Sequence, residues 1–258
     1  NCCVKIISIV CQKGGVGKTT SVVNISSLLA NKGFKVLIID LDPQGNVSTY
    51  LDKSKDGINH TISSDLFENK HIGNILNINN NLDLIPSNES IAKYNEEKIV
   101  AGSKLQFLRD NEIVQKYDFV LIDTPPTMSS LVQEGLAVSD FYLIPAKPEF
   151  LAVEGIGQAM NFAKKTIANV AKVDTKFIGV LLNQVDVRRT SYKDFYAELK
   201  QILGESLLKT FISQSTEIAD SPFYAKTVLD FPSTSKAFQE YKDLTQEILE
   251  RVEVWKDH

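Results

Sequence analysis

The sequence predicts an α/β fold: a mostly parallel, doubly wound sheet with helices on both faces. Short apolar runs alternate with longer stretches of helical spacing along the 258 residues. The apolar runs hardly alternate with polar residues, which is typical of strands buried on both faces. Several runs end in Asp or Asn, at the edge where such sheets bind ligands. Right-handed crossovers then distribute the helices over both faces.

Length and composition fit one domain over residues 1–258, with 43% hydrophobic and 23% charged residues. The net charge of −4 provides no global basic field, so any DNA contact requires a local patch. No apolar run approaches the ~20 residues of a membrane-spanning helix, and no signal peptide is visible. The three cysteines, Cys2, Cys3 and Cys11, have no partner further along the chain. We expect them to be reduced and the protein to be cytoplasmic.

The first strand is predicted over residues 5–11 and the first helix over 17–32, with Gly33 as its C-cap. Between them lies the sequence Lys-Gly-Gly-Val-Gly-Lys-Thr-Thr, residues 13–20, called the P-loop below. Its glycines allow the backbone to approach phosphates closely, and the loop amides and helix N-terminus attract anions. Lys18 is expected to reach the β- and γ-phosphates of a nucleotide, and the Thr19 hydroxyl to hold Mg²⁺.

Two further strands are predicted at residues 34–39 and 118–123. The first leads into Asp40 and Asp42, and the second ends at Asp123, followed by two prolines. The carboxyl ends of parallel strands share one edge of the sheet, so these aspartates are expected beside the P-loop. An apolar strand ending in aspartate is the Walker B arrangement, which places Asp123 near Mg²⁺ through water.

The remaining elements follow from the same patterns. A surface turn is predicted at the Asn-rich residues 74–81, and a strand at 82–87. The last helix is predicted from Ser235 to about Trp255, with one apolar face, and six acidic residues lie between Glu240 and Asp257. Further helices are predicted at residues 61–69, 87–97 and 104–115. Two more are predicted to end at about residue 171 and about residue 203. The other predicted strands span residues 141–146, 176–182 and 207–212.

The P-loop departs from the standard motif, because the position of its first glycine is taken by Gln12 and a second lysine, Lys13, begins the loop. In this deviant Walker A pattern, and over nearly the whole chain, the sequence resembles the ParA/MinD family of ATPases. The resemblance implies ATP and Mg²⁺ as cofactors and hydrolysis of ATP. It places Asp40 in the Mg²⁺ shell with Thr19 and Asp123, and assigns Asp42 to the attacking water.

The resemblance also implies an ATP-driven homodimer, in which Lys13 crosses to the partner's nucleotide and acts with Lys18 and Asp42 in catalysis. Glu149 matches a family position that faces the dimer partner, although a solvated carboxylate at a helix start explains it as well. Asn183 matches a position that reads adenine, with a simple turn asparagine as the alternative. The implied nucleotide-binding residues are Lys13, Gly14, Gly15, Val16, Gly17, Lys18, Thr19, Thr20 and Asn183.

Short ParA relatives bind DNA through its phosphates without sequence preference, which makes nonspecific DNA a candidate partner. The candidate contacts here are Arg188, Arg189, Lys193 and Lys236. Two arginines that short ParA proteins usually carry after the late strand are replaced by Gln214 and Glu217. The DNA patch is therefore reduced, relocated or absent, and the alternative for the first two arginines is an exposed solvated pair.

These observations favour a nucleoid-associated ATPase for plasmid or chromosome partition, with a ParB-type partner that stimulates hydrolysis. An alternative is a ParA-like ATPase that positions a protein cargo, since it runs the same nucleotide cycle. A MinD-like regulator at a membrane is disfavoured because the C-terminal helix is acidic rather than basic. A P-loop enzyme acting on a small molecule would need a substrate pocket, which the sequence does not locate.

Overall fold

The computed structural model describes residues 3–170 and 173–254. Its seven-stranded sheet has the order β3-β4-β2-β5-β1-β6-β7, with β3 antiparallel to β4 and the other neighbours parallel. The strands are β1 Lys5–Ile9, β2 Val36–Asp40, β3 Leu76–Asn79, β4 Leu82–Ile85, β5 Phe119–Asp123, β6 Phe141–Ala146 and β7 Lys176–Leu182.

The α-helices are α1 Lys18–Asn31, α2 Asn46–Tyr50, α3 Ser63–Asn69, α4 Lys93–Glu96, α5 Ser130–Val138, α6 Ala152–Ala168, α7 Thr190–Leu203, α8 Thr216–Asp220 and α9 Lys236–Val254. Single turns of 3₁₀-helix connect them at Glu89–Ile91, Gln106–Asp110, Val114–Lys116, Gly204–Ser206, Ser221–Tyr224 and Val228–Asp230. No helix within 3–170 and 173–254 is long and apolar enough to cross a membrane.

Successive residues of the central strands belong to different hydrophobic clusters. In β2, Val36 and Ile38 pack in the cluster that includes residues of α1 and α9, whereas Leu37 and Ile39 pack in the one that includes residues of α3 and α5. A third cluster joins β6 and β7 to α5, α6 and α7. Side chains of a strand alternate between the two faces of a sheet, so helices cover both faces, as predicted.

Most strand predictions are confirmed to within two residues, but the Asn-rich stretch contains a strand rather than only a turn. Residues of β3 pair with β4, and the register shifts between Asn77 and Asn79. The pairing is supported by the Asn77 amide, which donates to the Asp83 carboxylate at 2.9 Å. The helices predicted at 87–97 and 104–115 are broken into single turns, of which only α4 is α-helical. The short helices α2 and α8, and α5, were not predicted.

The late strand predicted at residues 207–212 is wrong. That segment meets β7 through the bridge between Val180 and Leu207, and a second bridge joins Val185 to Ser213. Between these points the backbone N–H groups of Lys209 and Thr210 donate to the carboxylate of Glu247 on α9, at 2.9 and 2.8 Å. On either side, the N–H groups of Leu208 and Ile212 donate to Val180 and Leu182 at 3.0 and 2.9 Å, so the pairing with β7 is interrupted where Glu247 binds the intervening amides. Trp255, where the last helix was predicted to end, and residue 171 lie outside the described residues.

Candidate nucleotide-binding site

The three strands that carry the predicted site lie side by side in the middle of the sheet. In the parallel register, Ile9 of β1 pairs with Asp123 of β5, and Asp40 of β2 pairs with Asp123 on the other side. The P-loop, the turn at residues 40–46 (called switch I below, after its counterpart in the family that the sequence resembles) and the strand end at Asp123 therefore meet at one edge. The sequence prediction of this convergence is confirmed by the register.

The P-loop leads directly into α1, which begins at Lys18. Gly17 has a φ of 79°, a left-handed conformation that favours glycine. A Cβ there would lie 3.2 Å from the Nδ2 of Asn183, so the site is also sterically tight. At Gly14 and Gly15, by contrast, an added Cβ would meet nothing within 4 Å. The loop is therefore packed at its base and open at its apex.

Lys18 and Thr19 converge on one carboxylate. The Lys18 Nζ bonds Asp123 Oδ1, and the Thr19 hydroxyl donates to Asp123 Oδ2 at 2.8 Å. The Lys18 and Asp123 side chains are only 7% and 0% exposed. Burial alone would lower the pKa of Lys18, but the Asp123 carboxylate beside it holds that pKa above its usual value. A buried ammonium, a hydroxyl and a carboxylate are thus held together at the helix start.

Asp40 and Asp42 organise switch I. Asp40 accepts hydrogen bonds from the backbone N–H groups of Asp42 at 2.9 Å and Val47 at 3.3 Å, and Asp42 accepts one from Gln44 at 3.0 Å. Gly45, in the same turn, has a φ of 62°. A Cβ on it would lie 2.5 Å from the Ser87 carbonyl oxygen, so the turn requires glycine.

The pKa values of both switch I carboxyls are raised. Burial is the main cause for Asp40, which is wholly buried, and the charge of the neighbouring Asp123 adds to it. Burial is also the main cause for Asp42. Among the described residues, these three carboxyls have Lys18 as their one buried cation, and a bound divalent cation would favour their charged forms.

The second lysine of the P-loop points elsewhere. The Lys13 Nζ pairs with Glu149, in the loop between β6 and α6, and the Lys13 side chain remains 65% exposed. Lys147 lies 4.0 Å from the same carboxylate. The hydrogen bond from Lys13 lowers the pKa of Glu149. Lys13 is therefore exposed and forms an ion pair at the surface, whereas Lys18 is buried in the site.

Asn183 follows β7 and is buried against the P-loop. Its Nδ2 donates to the Val16 carbonyl at 2.9 Å and to the Ser21 hydroxyl at 3.0 Å, whereas its Oδ1 is buried without a partner. A cavity of about 300 Å³ lies beside it and is also lined by Gly17 and Thr20. A separate cavity of about 380 Å³ lies between the P-loop and the start of α6.

These residues fit a nucleoside triphosphate with Mg²⁺. The open apex at Gly14 and Gly15 leaves room for phosphates, and the orphaned Oδ1 of Asn183 is an acceptor that an amino group on a base would satisfy. The described residues contain no cluster of three or more His, Cys, Asp or Glu side chains that could hold a metal alone. Mg²⁺ usually binds through one or two carboxylates together with substrate phosphates, which matches Asp40, Asp123 and the Thr19 hydroxyl.

Three of the four candidate DNA contacts are exposed and lie within six consecutive residues of the chain. Arg188 and Arg189 lie in the turn after β7, and Lys193 lies in the first turns of α7, all exposed. Arg188 forms a two-point ion pair with Asp186, at 2.9 and 3.1 Å, which lowers the pKa of that carboxyl. Lys236 begins a different element, α9. The first three are therefore neighbours along the chain, and the charge of Arg188 is partly neutralised by Asp186.

Three residues at the site were missed by the sequence interpretation. The Thr124 hydroxyl donates to the Ile9 carbonyl at 2.7 Å and joins the ends of β1 and β5. The Cys11 thiol donates to the Lys13 carbonyl at 3.3 Å, and burial raises its pKa to about 11. Gln184 donates to the Gly15 carbonyl at 2.9 Å. A polar residue directly after a predicted strand was the available signal for Thr124, whereas Gln184 is separated from its strand by Asn183.

A glycine-rich loop between a central parallel strand and a helix, with strand-end aspartates beside it, defines a P-loop nucleotide-binding protein. Residues 4–176 match a family model described as an AAA domain. The Bacillus subtilis (strain 168) sporulation initiation inhibitor protein Soj is 32% identical, over 95% of this chain and 98% of its own. The Thermus thermophilus chromosome-partitioning ATPase Soj is 29% identical, over 97% of each chain.

A plasmid partition protein of Borrelia burgdorferi B31, crystallised with AMPPNP, is 28% identical and superimposes with a TM-score of 0.76 over 96% of this chain and 98% of its own. These matches extend over nearly the full length of both chains. The chain therefore belongs to the AAA-domain family and, within it, to the ParA/Soj partition ATPases, which confirms the family resemblance.

Proposed function

We propose that this protein is a Mg²⁺-dependent ATPase that partitions DNA, either a plasmid or a chromosome. In this proposal an ATP-driven homodimer binds nonspecific DNA, and a ParB-type partner stimulates hydrolysis and release. The observation that carries the proposal is the contrast between the two P-loop lysines. Lys18 is buried with Asp123, whereas Lys13 is exposed and held only by a surface pair with Glu149.

Within a protomer, Lys18 would bind the β- and γ-phosphates of ATP, and the P-loop amides would orient them. Thr19, Asp40 and Asp123 would hold Mg²⁺, which neutralises phosphate charge when it is bound. Asp42 would orient the attacking water, and Asn183 would contact the base. Asp42 suits this role because it lies at the same strand-end edge and its side chain accepts only one hydrogen bond, from Gln44, among the described residues.

Lys13 would supply the additional positive charge that the site of the partner protomer lacks. An extra cation of this kind, such as an arginine finger, accelerates phosphoryl transfer by ~10³–10⁵. Its exposed pair with Glu149 is inexpensive to break, since exposed ion pairs contribute about 0–1 kcal/mol. The Lys13→Ala variant is therefore expected to bind ATP but to lose ATP-driven dimerisation and hydrolysis, as measured by light scattering and phosphate release.

DNA binding is proposed for the group formed by Arg188, Arg189 and Lys193, with Lys236 as a further candidate. The test is retention of nonspecific duplex DNA with ATP, with ADP and without nucleotide, at two salt concentrations. Binding should require ATP, weaken with salt as phosphate contacts do, and persist in Asp42→Ala, which should accumulate the ATP state.

Charge reversal at Arg188 and Arg189 should abolish this retention. The matched control reverses Lys164 and Lys165, an exposed pair in the last turns of α6. At ~1.5 Å per residue, these lysines lie ~18 Å along a helix that leads away from the strand-end edge. Retention lost equally in both double variants would refute the assignment of this group.

A second function, positioning of a protein cargo rather than DNA, is favoured by one observation: Arg188 is already paired with Asp186, and the acid Glu217 stands where relatives carry an arginine. Intact ATP-driven dimerisation without DNA retention in any nucleotide state would support this alternative. The proposed location is the cytoplasm, on the nucleoid in the first case.

A further inference from the structure

The end of β7 carries two consecutive amide side chains that reach the P-loop. Asn183 donates to the Val16 carbonyl, and Gln184 donates to the Gly15 carbonyl, each at 2.9 Å. Gln184 has a φ of 54°, a left-handed conformation that is uncommon for a residue other than glycine. Such strain persists only where the surroundings enforce it. The backbone at Gln184 is therefore held in a costly conformation from which its side chain reaches the loop.

These hydrogen bonds act on the loop amides through the geometry of the peptide. A trans peptide is planar, so its C=O and the N–H of the next residue point in opposite directions, and no described peptide is cis. A donor that fixes the Gly15 carbonyl toward β7 turns the Val16 N–H away from β7. The donor on the Val16 carbonyl does the same for the Gly17 N–H. Loop amides turned in this way are the groups that bind phosphates in a P-loop.

The apex of the loop has few other anchors. Within the described part of the chain, the Lys13 carbonyl accepts only the Cys11 thiol, a weak donor. Gly14 and Gly15 are exposed, and a Cβ on either would meet nothing within 4 Å. Glycine samples many backbone conformations when it is unrestrained. The hydrogen bond from Gln184 is thus the described side-chain contact that fixes the Gly15–Val16 peptide.

We propose that Gln184 is a positioning residue that holds the Gly15–Val16 peptide in the orientation that receives a phosphate of the nucleotide. The inference rests on the proposed function only in that the P-loop binds a nucleoside triphosphate. Gln184 also begins the turn that carries Arg188, so one side chain joins the phosphate loop to the candidate DNA surface.

The test compares two variants by calorimetry, with ATP and with inorganic triphosphate as ligands. Gln184→Met keeps the length of the side chain and removes the amide, whereas Gln184→Gly removes the side chain and relieves the backbone strain. The matched control is Gln246→Met on α9, where the amide donates to Glu250 at 3.1 Å. Melting temperatures measured without nucleotide report whether each variant is folded.

Both Gln184 variants are expected to bind ATP and inorganic triphosphate about two- to tenfold more weakly, the effect of one hydrogen bond. The same factor for both ligands places the effect at the phosphates. Gln246→Met should bind as the wild type does.

Three outcomes would overturn the inference while leaving the proposed function intact: affinities equal to those of Gln246→Met, a loss with ATP but not with triphosphate, or a loss in Gln184→Met alone. Wild-type protein that does not bind ATP would instead overturn the proposed function, and the inference with it.

Discussion

Replacing Lys18 by methionine should destabilise the protein even when no nucleotide is present. The Lys18 ammonium is the buried cation of the site, and it pairs with the fully buried Asp123. Asp40, also fully buried, stands beside Asp123 in the strand register. Methionine has a similar length but no charge, so the variant leaves these carboxyls without their counter-ion.

The size of the effect follows from the burial of the pair. Removing one partner of a buried ion pair costs about 3–5 kcal/mol, because the other charge is left uncompensated. That is a large part of the ~5–15 kcal/mol by which domains are usually stable. At about 2–4 °C per kcal/mol for a chain of this size, the melting temperature should fall by roughly 6–20 °C.

The loss of stability caused by Lys18→Met should be smaller at low pH. Burial and the neighbouring Asp123 raise the pKa of Asp40, so this carboxyl takes up a proton, and its uncompensated charge disappears, as the pH falls. Lys18 itself has a raised pKa in the folded protein. Its contribution is therefore complete below the unfolded value of about 10.4 and is lost only as the pH rises through the folded pKa. Between pH 8 and 5.5 the contribution of Lys18 stays constant, and the protonation of Asp40 determines the trend.

Urea unfolding in EDTA without nucleotide, at pH 8 and pH 5.5, measures the effect apart from any stabilisation by ligand. The matched control is Lys13→Met, the same substitution in the same loop at a side chain that is 65% exposed. It should change stability by no more than about 0.5 kcal/mol. Equal unfolding midpoints for the two variants would refute the reasoning. A loss of stability in Lys18→Met that becomes larger as the pH falls would also refute it.

Three further predictions follow from other contacts. Glu247→Gln should destabilise the protein by about 1–3 kcal/mol at pH 7. Because the pKa of Glu247 is lowered in the folded protein, the extra stability of the wild type should be lost as the pH falls below about 4.3. Equal urea unfolding midpoints for the two proteins at pH 7 would contradict this. Glu149→Gln should release Lys13 and lower the ATP concentration needed for dimerisation by up to about fivefold. Light scattering that shows dimerisation at the same ATP concentration as in the wild type would contradict this. Iodoacetamide at pH 7.5 should label the exposed Cys3 and spare the buried Cys11, whose thiol has a pKa of about 11; peptide mapping that finds rapid modification of Cys11 would count against its burial.

The centre of the site was predictable because its residues are local to strands that the sequence marks clearly. An uninterrupted apolar run predicts each central strand, and a parallel sheet brings the carboxyl ends of these runs to one edge. Lys18, Asp40 and Asp123 could therefore be placed together before any contact was known. The assignment depends on the order of short motifs along the chain.

Contacts between distant segments could not be predicted in this way. Residues 207–212 are not a continuous strand: Leu208 and Ile212 donate to β7, but the amides of Lys209 and Thr210 between them bind Glu247, which is far along the chain. The apolar pattern of that segment is the same whether or not the strand is continuous. Similarly, the pairing of Lys13 with Glu149 and the reach of Gln184 to Gly15 depend on how loops from three strands meet.

The two outer strands of the sheet also affect how copies of the protein can associate. An open strand edge offers unpaired backbone groups to another chain, which is a route to aggregation. Here β3 is short, and its pairing with β4 shifts register at Asn77 and Asn79. The outer side of β7 lies beneath residues 207–213, whose central amides are bound by Glu247. Neither edge presents a long, regular strand that a second chain could extend, so the proposed homodimer would have to form through another surface.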